Sequence, residues 1–160
     1  MFVSTKQIVL IDNSVVDKLC SRKKPESIQY VITARTNIDN PEYLEKYKEL
    51  KIIPSVARFG HSVWDGGEVW GSEETTRLSN ELLALGASQR NIKEVGKQTS
   101  RNQRDDADIM TAAFINNCSI LVSDDKKFIL KSDVVALMKN YGVTILSVDA
   151  FISGVLEKIN

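Results

Sequence analysis

Histidine occurs once in the 160 residues, at His61, and cysteine twice, at Cys20 and Cys118. With one imidazole and no C-x-x-C pair, a structural zinc site is not expected. One disulfide is arithmetically open, but two reduced thiols in a cytosolic protein is the simpler expectation. Charge of one sign is not in excess either, because 21 Lys+Arg balance 21 Asp+Glu. That excludes a whole-molecule basic field for nucleic acid and leaves a local one open. Long apolar runs are missing. The longest are four or five residues, as in Ile8-Val9-Leu10-Ile11, against ~20 for a membrane-spanning helix. No membrane association is expected. The opening MFVSTKQIVLID lacks a basic start followed by a long apolar region, so no secretory signal is expected and the cytoplasm is the expected location.

What is present is a folding composition, 42% hydrophobic and 26% charged, which excludes general disorder. The length suits a single domain over residues 1–160. No repeat, low-complexity tract or Pro/Gly/Ser linker divides it. Short, β-branched runs at Ile8–Ile11, Ile120–Val122 and Val143–Leu146, with a weaker one at Lys51–Pro54, are apolar on both faces. Strands of a buried parallel sheet read this way. Helices are expected over Pro41–Tyr47 and from Ser72 to a stop at Gly86. Two more are expected from about Asp105 to Asn117 and over Ser132–Asn140 before Gly142. The alternation predicts an α/β fold, a three-layer sandwich around a central, mainly parallel sheet. One segment interrupts the pattern. Residues 58–71 hold both tryptophans, His61 and four of the eight glycines, with Ser-Val-Trp and Glu-Val-Trp flanking Asp65-Gly66-Gly67. This predicts an inserted β-hairpin.

The aspartates carry the chemistry. Asp12 follows the first strand, and Asp124 and Asp125 follow a later one. In open parallel sheets, ligands bind outside the carboxyl ends of the strands. A third group, Asp105-Asp106-Ala107-Asp108, opens the helix that feeds the later strand. Counting i+3, i+4 and i+7 from Asp106 reaches Ile109, Met110 and Ala113, so its carboxylate extends an apolar stripe. Asp108 aligns with Ala112 and Ile115. A carboxylate facing a core is costly unless something compensates it. A cation shared with Asp12 and Asp125 would do so, and hard oxygen ligands suit Mg²⁺ or Mn²⁺. Singly, each of these acids also reads as a turn former, a cap or a first-turn helix acid.

With these residues in view, the sequence resembles the PIN-domain ribonucleases, which include bacterial VapC-type toxins. Ile8-Val9-Leu10-Ile11-Asp12-Asn13-Ser14 is similar to that family's first strand ending in Asp-Thr-Ser or Asp-Asn-Ser. Asp106-Ala107-Asp108-Ile109-Met110-Thr111-Ala112-Ala113 is similar to its D-A-x-I-A-A-x-A helix. Leu121-Val122-Ser123-Asp124-Asp125-Lys126-Lys127-Phe128 is similar to its L-V-T-x-D-x-x-F element, and Gly142–Phe151 to its last strand and short helix. The likeness implies that Asp12, Asp106 and Asp125 hold one or two Mg²⁺ or Mn²⁺ ions, with Asp124 and Asp108 near enough to replace or assist them. It implies that Ser123 orients a carboxylate or a water and that Asn13 adds a hydrogen bond behind Asp12. The family's additional Glu, after its second strand, has no clear counterpart. Asp65, Glu68, Glu73 and Glu74 are the candidates, with Glu73 favoured, although Glu73 and Glu74 also read as first-turn helix acids.

The activity implied is endonucleolytic hydrolysis of single-stranded RNA, in which an ion on these acids acidifies the attacking water. Products would then carry 5′-phosphate and 3′-hydroxyl ends. Arg90, Lys93, Lys97, Arg101 and Arg104 follow spacings of 3, 4, 4 and 3, a basic helical face leading into the acids. Lys126 flanks Asp125 and could meet phosphates, and Trp64 and Trp70 could stack on bases. A solvated helix face and a cross-strand aromatic pair or dimer surface are the plainer alternatives. An antitoxin and a second copy of the chain are the candidate protein partners. The rival function is a non-catalytic RNA-binding or regulatory module. A haloacid-dehalogenase-like phosphatase would need D-x-D-x-T where Asp12-Asn13-Ser14-Val15-Val16 stands.

Overall fold

The structure is a computed structural model, and it describes residues 6–33, 50–56, 68–69, 73–89 and 97–159. Strands β1 (Gln7–Ile11), β2 (Ile28–Thr33), β3 (Lys51–Ile53), β6 (Ile120–Val122) and β7 (Thr144–Leu146) form a five-stranded sheet in the order β3-β2-β1-β6-β7. Every pairing in it is parallel. The four strands expected from the apolar runs are present. β2 is an addition that the sequence reading did not single out.

Side chains alternate between two cores, as the period of a strand requires. Leu10, Val31, Leu121 and Ile145 face one side, together with Leu78, Leu82, Met110, Ala113, Val134 and Met138. Those partners come from α2 (Glu73–Gln89), α3 (Lys97–Ile115) and α4 (Ser132–Asn140). Val9, Ile11, Tyr30, Ile32 and Val122 face the other side, with Val16, Leu19, Val148, Phe151 and Leu156. These are covered by α1 (Val16–Cys20), α5 (Val148–Phe151) and the turn that follows it. The three layers are thus helices, sheet and helices, which explains why the strands are apolar on both faces. Cys118 belongs to the first core and Cys20 borders the second, so the two thiols stand on opposite faces of the sheet and are not joined by a disulfide.

Helix ends follow local chemistry. Asn117 takes a positive φ of 56° after α3, and the Cys118 N–H donates back to the Ala113 carbonyl at 2.9 Å. Gly142 ends α4 in the same way, at φ 85°, with the Val143 N–H on the Met138 carbonyl at 2.9 Å. A Cβ added at Gly142 would meet nothing within 4 Å. The cost of Gly142→Ala is therefore conformational alone. It should lower the unfolding free energy by about 1 kcal/mol, read by urea denaturation.

Boundaries differ from expectation in two places. α2 runs through Gly86 to Gln89, and α3 begins at Lys97, well before Asp105. In the Gly/Trp segment, β5 (Glu68–Val69) pairs in parallel with β4 (Ser55–Val56). The facing arm of the expected hairpin, with Trp64, lies outside the described residues, as do Trp70 and the Pro41–Tyr47 helix.

Candidate metal and phosphate site

The chain lays β1, β2 and β3 side by side in one direction, then returns to place β6 and β7 on the opposite flank of β1. The strand order reverses between β1 and β6. Such a switch point opens a crevice at the carboxyl ends of its two strands. Ile11 is in register with Val122, so Asp12 and Ser123 leave the sheet beside each other. The Asp12 N–H continues the ladder onto the Val122 carbonyl at 3.0 Å, and the Ser123 N–H reaches the Leu146 carbonyl at 3.1 Å. Asp12 is extended, at φ −75° and ψ 155°. Two positions beyond Leu10 and Leu121, the Asp12 and Ser123 side chains fall on the α2/α3/α4 side of the sheet.

Asp12 is held from several directions. Its Oδ1 accepts the Asn13 N–H at 2.8 Å. Its Oδ2 accepts two hydroxyls, Ser14 Oγ at 3.2 Å and Ser123 Oγ at 2.9 Å. The same hydroxyls accept successive backbone donors from the β6 exit. The Asp125 N–H reaches Ser123 Oγ at 3.1 Å, and the Asp124 N–H reaches Ser14 Oγ at 3.4 Å. Two serines thus stitch residues 111 positions apart into one edge. Ser123 has no exposed surface. Asn13 acts through its backbone N–H rather than its amide side chain.

Asp125 is half-buried, and its Oδ1 accepts the Lys127 N–H at 2.9 Å. Asp124 is committed elsewhere. Its Oδ2 takes the Lys18 ammonium at 2.7 Å, and its Oδ1 takes the Val148 N–H at the start of α5 at 3.1 Å. Partial burial pushes the Asp124 carboxyl upward. The Lys18 hydrogen bond, the Val148 N–H and the charges of Lys18 and Lys126 outweigh that and hold it below the ordinary carboxylate range. Lys18 is raised in turn, first by its hydrogen bond to Asp124 and then by that carboxylate's charge.

On α3 the deepest carboxylate is Asp108, 2% exposed, while Asp106 is half-buried. Among the described residues, however, no three acidic, histidine or cysteine side chains are close enough to grip one ion. The expected joint cluster of Asp12, Asp106 and Asp125 is not closed. The donor set still suits a hard divalent ion, because Asp12 and Asp125 both offer carboxylate oxygens at one edge.

The remaining expected residues are scattered. Glu73 opens α2, is exposed, and lines a shallow groove on that helix with Arg77, Asn80 and Glu81 rather than with Asp12. Lys126 is exposed beside Asp124. Lys97, Arg101 and Arg104 fall on α3, on the same helix as the acids, whereas Arg90 and Lys93 lie outside the described residues. In the basic run Arg22-Lys23-Lys24, Lys24 donates to the Ile28 carbonyl at 2.7 Å. Burial pushes the Cys118 thiol up to about 12, which removes it as a nucleophile at neutral pH. Two contributors went unassigned from sequence. Ser14 lay within the quoted opening motif, and Lys18 meets a partner 106 positions away that no spacing rule reveals. Among the described residues no helix is long and apolar enough to cross a membrane. No protein-family model and no curated protein matches the chain.

Proposed function

We propose that the chain is a divalent-metal-dependent endoribonuclease of the PIN type, acting on single-stranded RNA. The observation that supports this best is the edge at the reversal of strand order, where the Ser123 hydroxyl donates to the Asp12 carboxylate and accepts the Asp125 backbone N–H. Asp12 and Asp125 would hold Mg²⁺ or Mn²⁺, with Asp108 or Asp106 of α3 as the third acid. When bound, such an ion acidifies water and neutralises phosphate oxygens. The chain's own residues set the stage for it. Ser14 and Ser123 fix the Asp12 carboxylate, the backbone of residues 124 and 125 fixes the two serines, and Lys126 offers an exposed cation for a phosphate. Lys97, Arg101 and Arg104 extend the positive charge along α3. A toxin role, with an antitoxin as partner, belongs to the same reading.

The open acid cluster favours a second reading, a non-catalytic RNA-binding module on the same fold. One experiment separates the two. A 5′-labelled single-stranded RNA is incubated with the protein across a Mg²⁺ and Mn²⁺ titration, and the product ends are typed. The nuclease gives ion-dependent fragments with 5′-phosphate and 3′-hydroxyl ends, abolished by EDTA. RNA retention without cleavage at any ion concentration selects the module.

A further inference from the structure

We infer that Asp124 is a positioning residue for the proposed cleavage, its carboxylate latching the β6 exit to α1 and α5 so that the backbone of residues 124 and 125 holds two serines on Asp12. The catalytic consequence rests on the nuclease reading, whereas the latch is read from hydrogen bonds alone. Asp124 Oδ2 takes the Lys18 ammonium at 2.7 Å, and Oδ1 takes the Val148 N–H at 3.1 Å. Lys18 stands on α1, the first α-helix after β1, and Val148 opens α5, the first after β7. One carboxylate therefore ties together the exits of three adjacent strands, β1, β6 and β7. Both anchors are rooted in the second core, where α1 buries Val16 and Leu19 and α5 buries Val148 and Phe151.

The main chain of the same turn serves Asp12. The Asp124 N–H reaches Ser14 Oγ at 3.4 Å, and the Asp125 N–H reaches Ser123 Oγ at 3.1 Å. Both hydroxyls donate to Asp12 Oδ2, at 3.2 Å and 2.9 Å. A donor orients its acceptor only as well as it is itself held. The Ser123 N–H still reaches the Leu146 carbonyl. Beyond it the chain leaves the sheet, and the Asp124 carboxylate takes over the work of fixing the turn to its flanks. The Lys18 side chain is 59% exposed. An exposed ion pair adds little to global stability, so releasing it should loosen the turn without unfolding the sheet.

Asp124→Ala, Lys18→Met and Lys18→Arg in the full chain test this with two readouts. Amide hydrogen exchange needs neither RNA nor metal. The amides of residues 124 and 125 should exchange roughly 10-fold faster in Asp124→Ala and several-fold faster in Lys18→Met. They should keep the wild-type rate in Lys18→Arg, whose guanidinium restores the pair, and the amides of β1 and β6 should not change in any variant. In RNA cleavage, kcat per folded molecule should fall about 10-fold in Asp124→Ala and several-fold in Lys18→Met, with KM unchanged and Lys18→Arg rescued. Unchanged exchange at 124 and 125 in Asp124→Ala overturns the latch, whatever the cleavage rate. Faster exchange with unchanged kcat overturns the positioning role and leaves the nuclease reading standing. A raised KM at unchanged kcat in Lys18→Met makes Lys18 an RNA contact and overturns it as well. No cleavage by the wild type at any Mg²⁺ or Mn²⁺ concentration overturns the positioning role together with the nuclease reading.

Discussion

Asp12→Asn should abolish metal-dependent RNA cleavage and leave the fold in place. The fold survives because the carboxylate's structural work is light. Asp12 caps the short 3₁₀ turn at Asn13–Val15, and asparagine caps as well as aspartate. With the amide oxygen kept on the Asn13 N–H, the amide nitrogen can donate to Ser14 and Ser123, whose hydroxyls rotate to suit. The stability loss should stay within about 1 kcal/mol. Chemistry is another matter. A neutral amide cannot supply the negative charge that binds a divalent ion, and Asp12 is the acid at the centre of the strand-end crevice. The expected loss is on the order of 10³-fold, the upper end of what deleting one preorganised electrostatic group costs. Single-turnover cleavage of labelled RNA at saturating Mg²⁺ reads it, with circular dichroism confirming the fold. Undiminished cleavage by Asp12→Asn would remove Asp12 from the reaction and take the nuclease reading with it.

That the β1 and β6 exits lie at one edge, with Asp12 and the Asp125 backbone both on Ser123, was legible because it needs only topology. Strand runs ending in acids can be read from residue types, and parallel strands bring those ends to one edge. The β2 strand escaped because Gln29 interrupts its apolar run. In the fold Gln29 is half-buried and turns its amide onto the Tyr30 carbonyl at 3.0 Å. The start of α3 escaped for a related reason. Residues 97–104 carry no apolar stripe, and periodicity marks only the part of a helix that meets a core. Periodicity alone does not separate Asp106 from Asp108. Counting from Asp106 assumes one buried face, but α3 is buried at every position from Ala107 to Ala113, with α2 and β4 against it as well as the sheet. The Lys18–Asp124 pair was out of reach altogether, since the reason Asp124 differs from Asp125 lies in α1 and α5 and not in its neighbours.

Ser123→Ala should be the most damaging change that leaves every acid intact. Ser123 is fully buried and, of the two serines that bridge the strand ends, makes the shorter bonds, donating to Asp12 Oδ2 at 2.9 Å and accepting the Asp125 N–H at 3.1 Å. Alanine leaves that N–H without its acceptor and leaves the Asp12 carboxylate held by the Asn13 N–H and Ser14 alone. Orphaning a backbone donor costs roughly 1–3 kcal/mol. Losing a partner that orients a metal-binding carboxylate lowers activity by roughly 10–100-fold. Ser14→Ala removes a longer bond from an exposed residue and should cost several-fold less in both respects. Ser123→Thr separates the two effects. Its hydroxyl restores both hydrogen bonds and most of the cleavage rate. Its extra methyl enters a site with no exposed surface and leaves a stability deficit of about 1 kcal/mol. Thermal denaturation and cleavage rates across the three variants test the ranking. Equal losses for Ser14→Ala and Ser123→Ala would show that the crevice is organised around the β1 turn alone, and that the β6 exit plays no part in orienting Asp12.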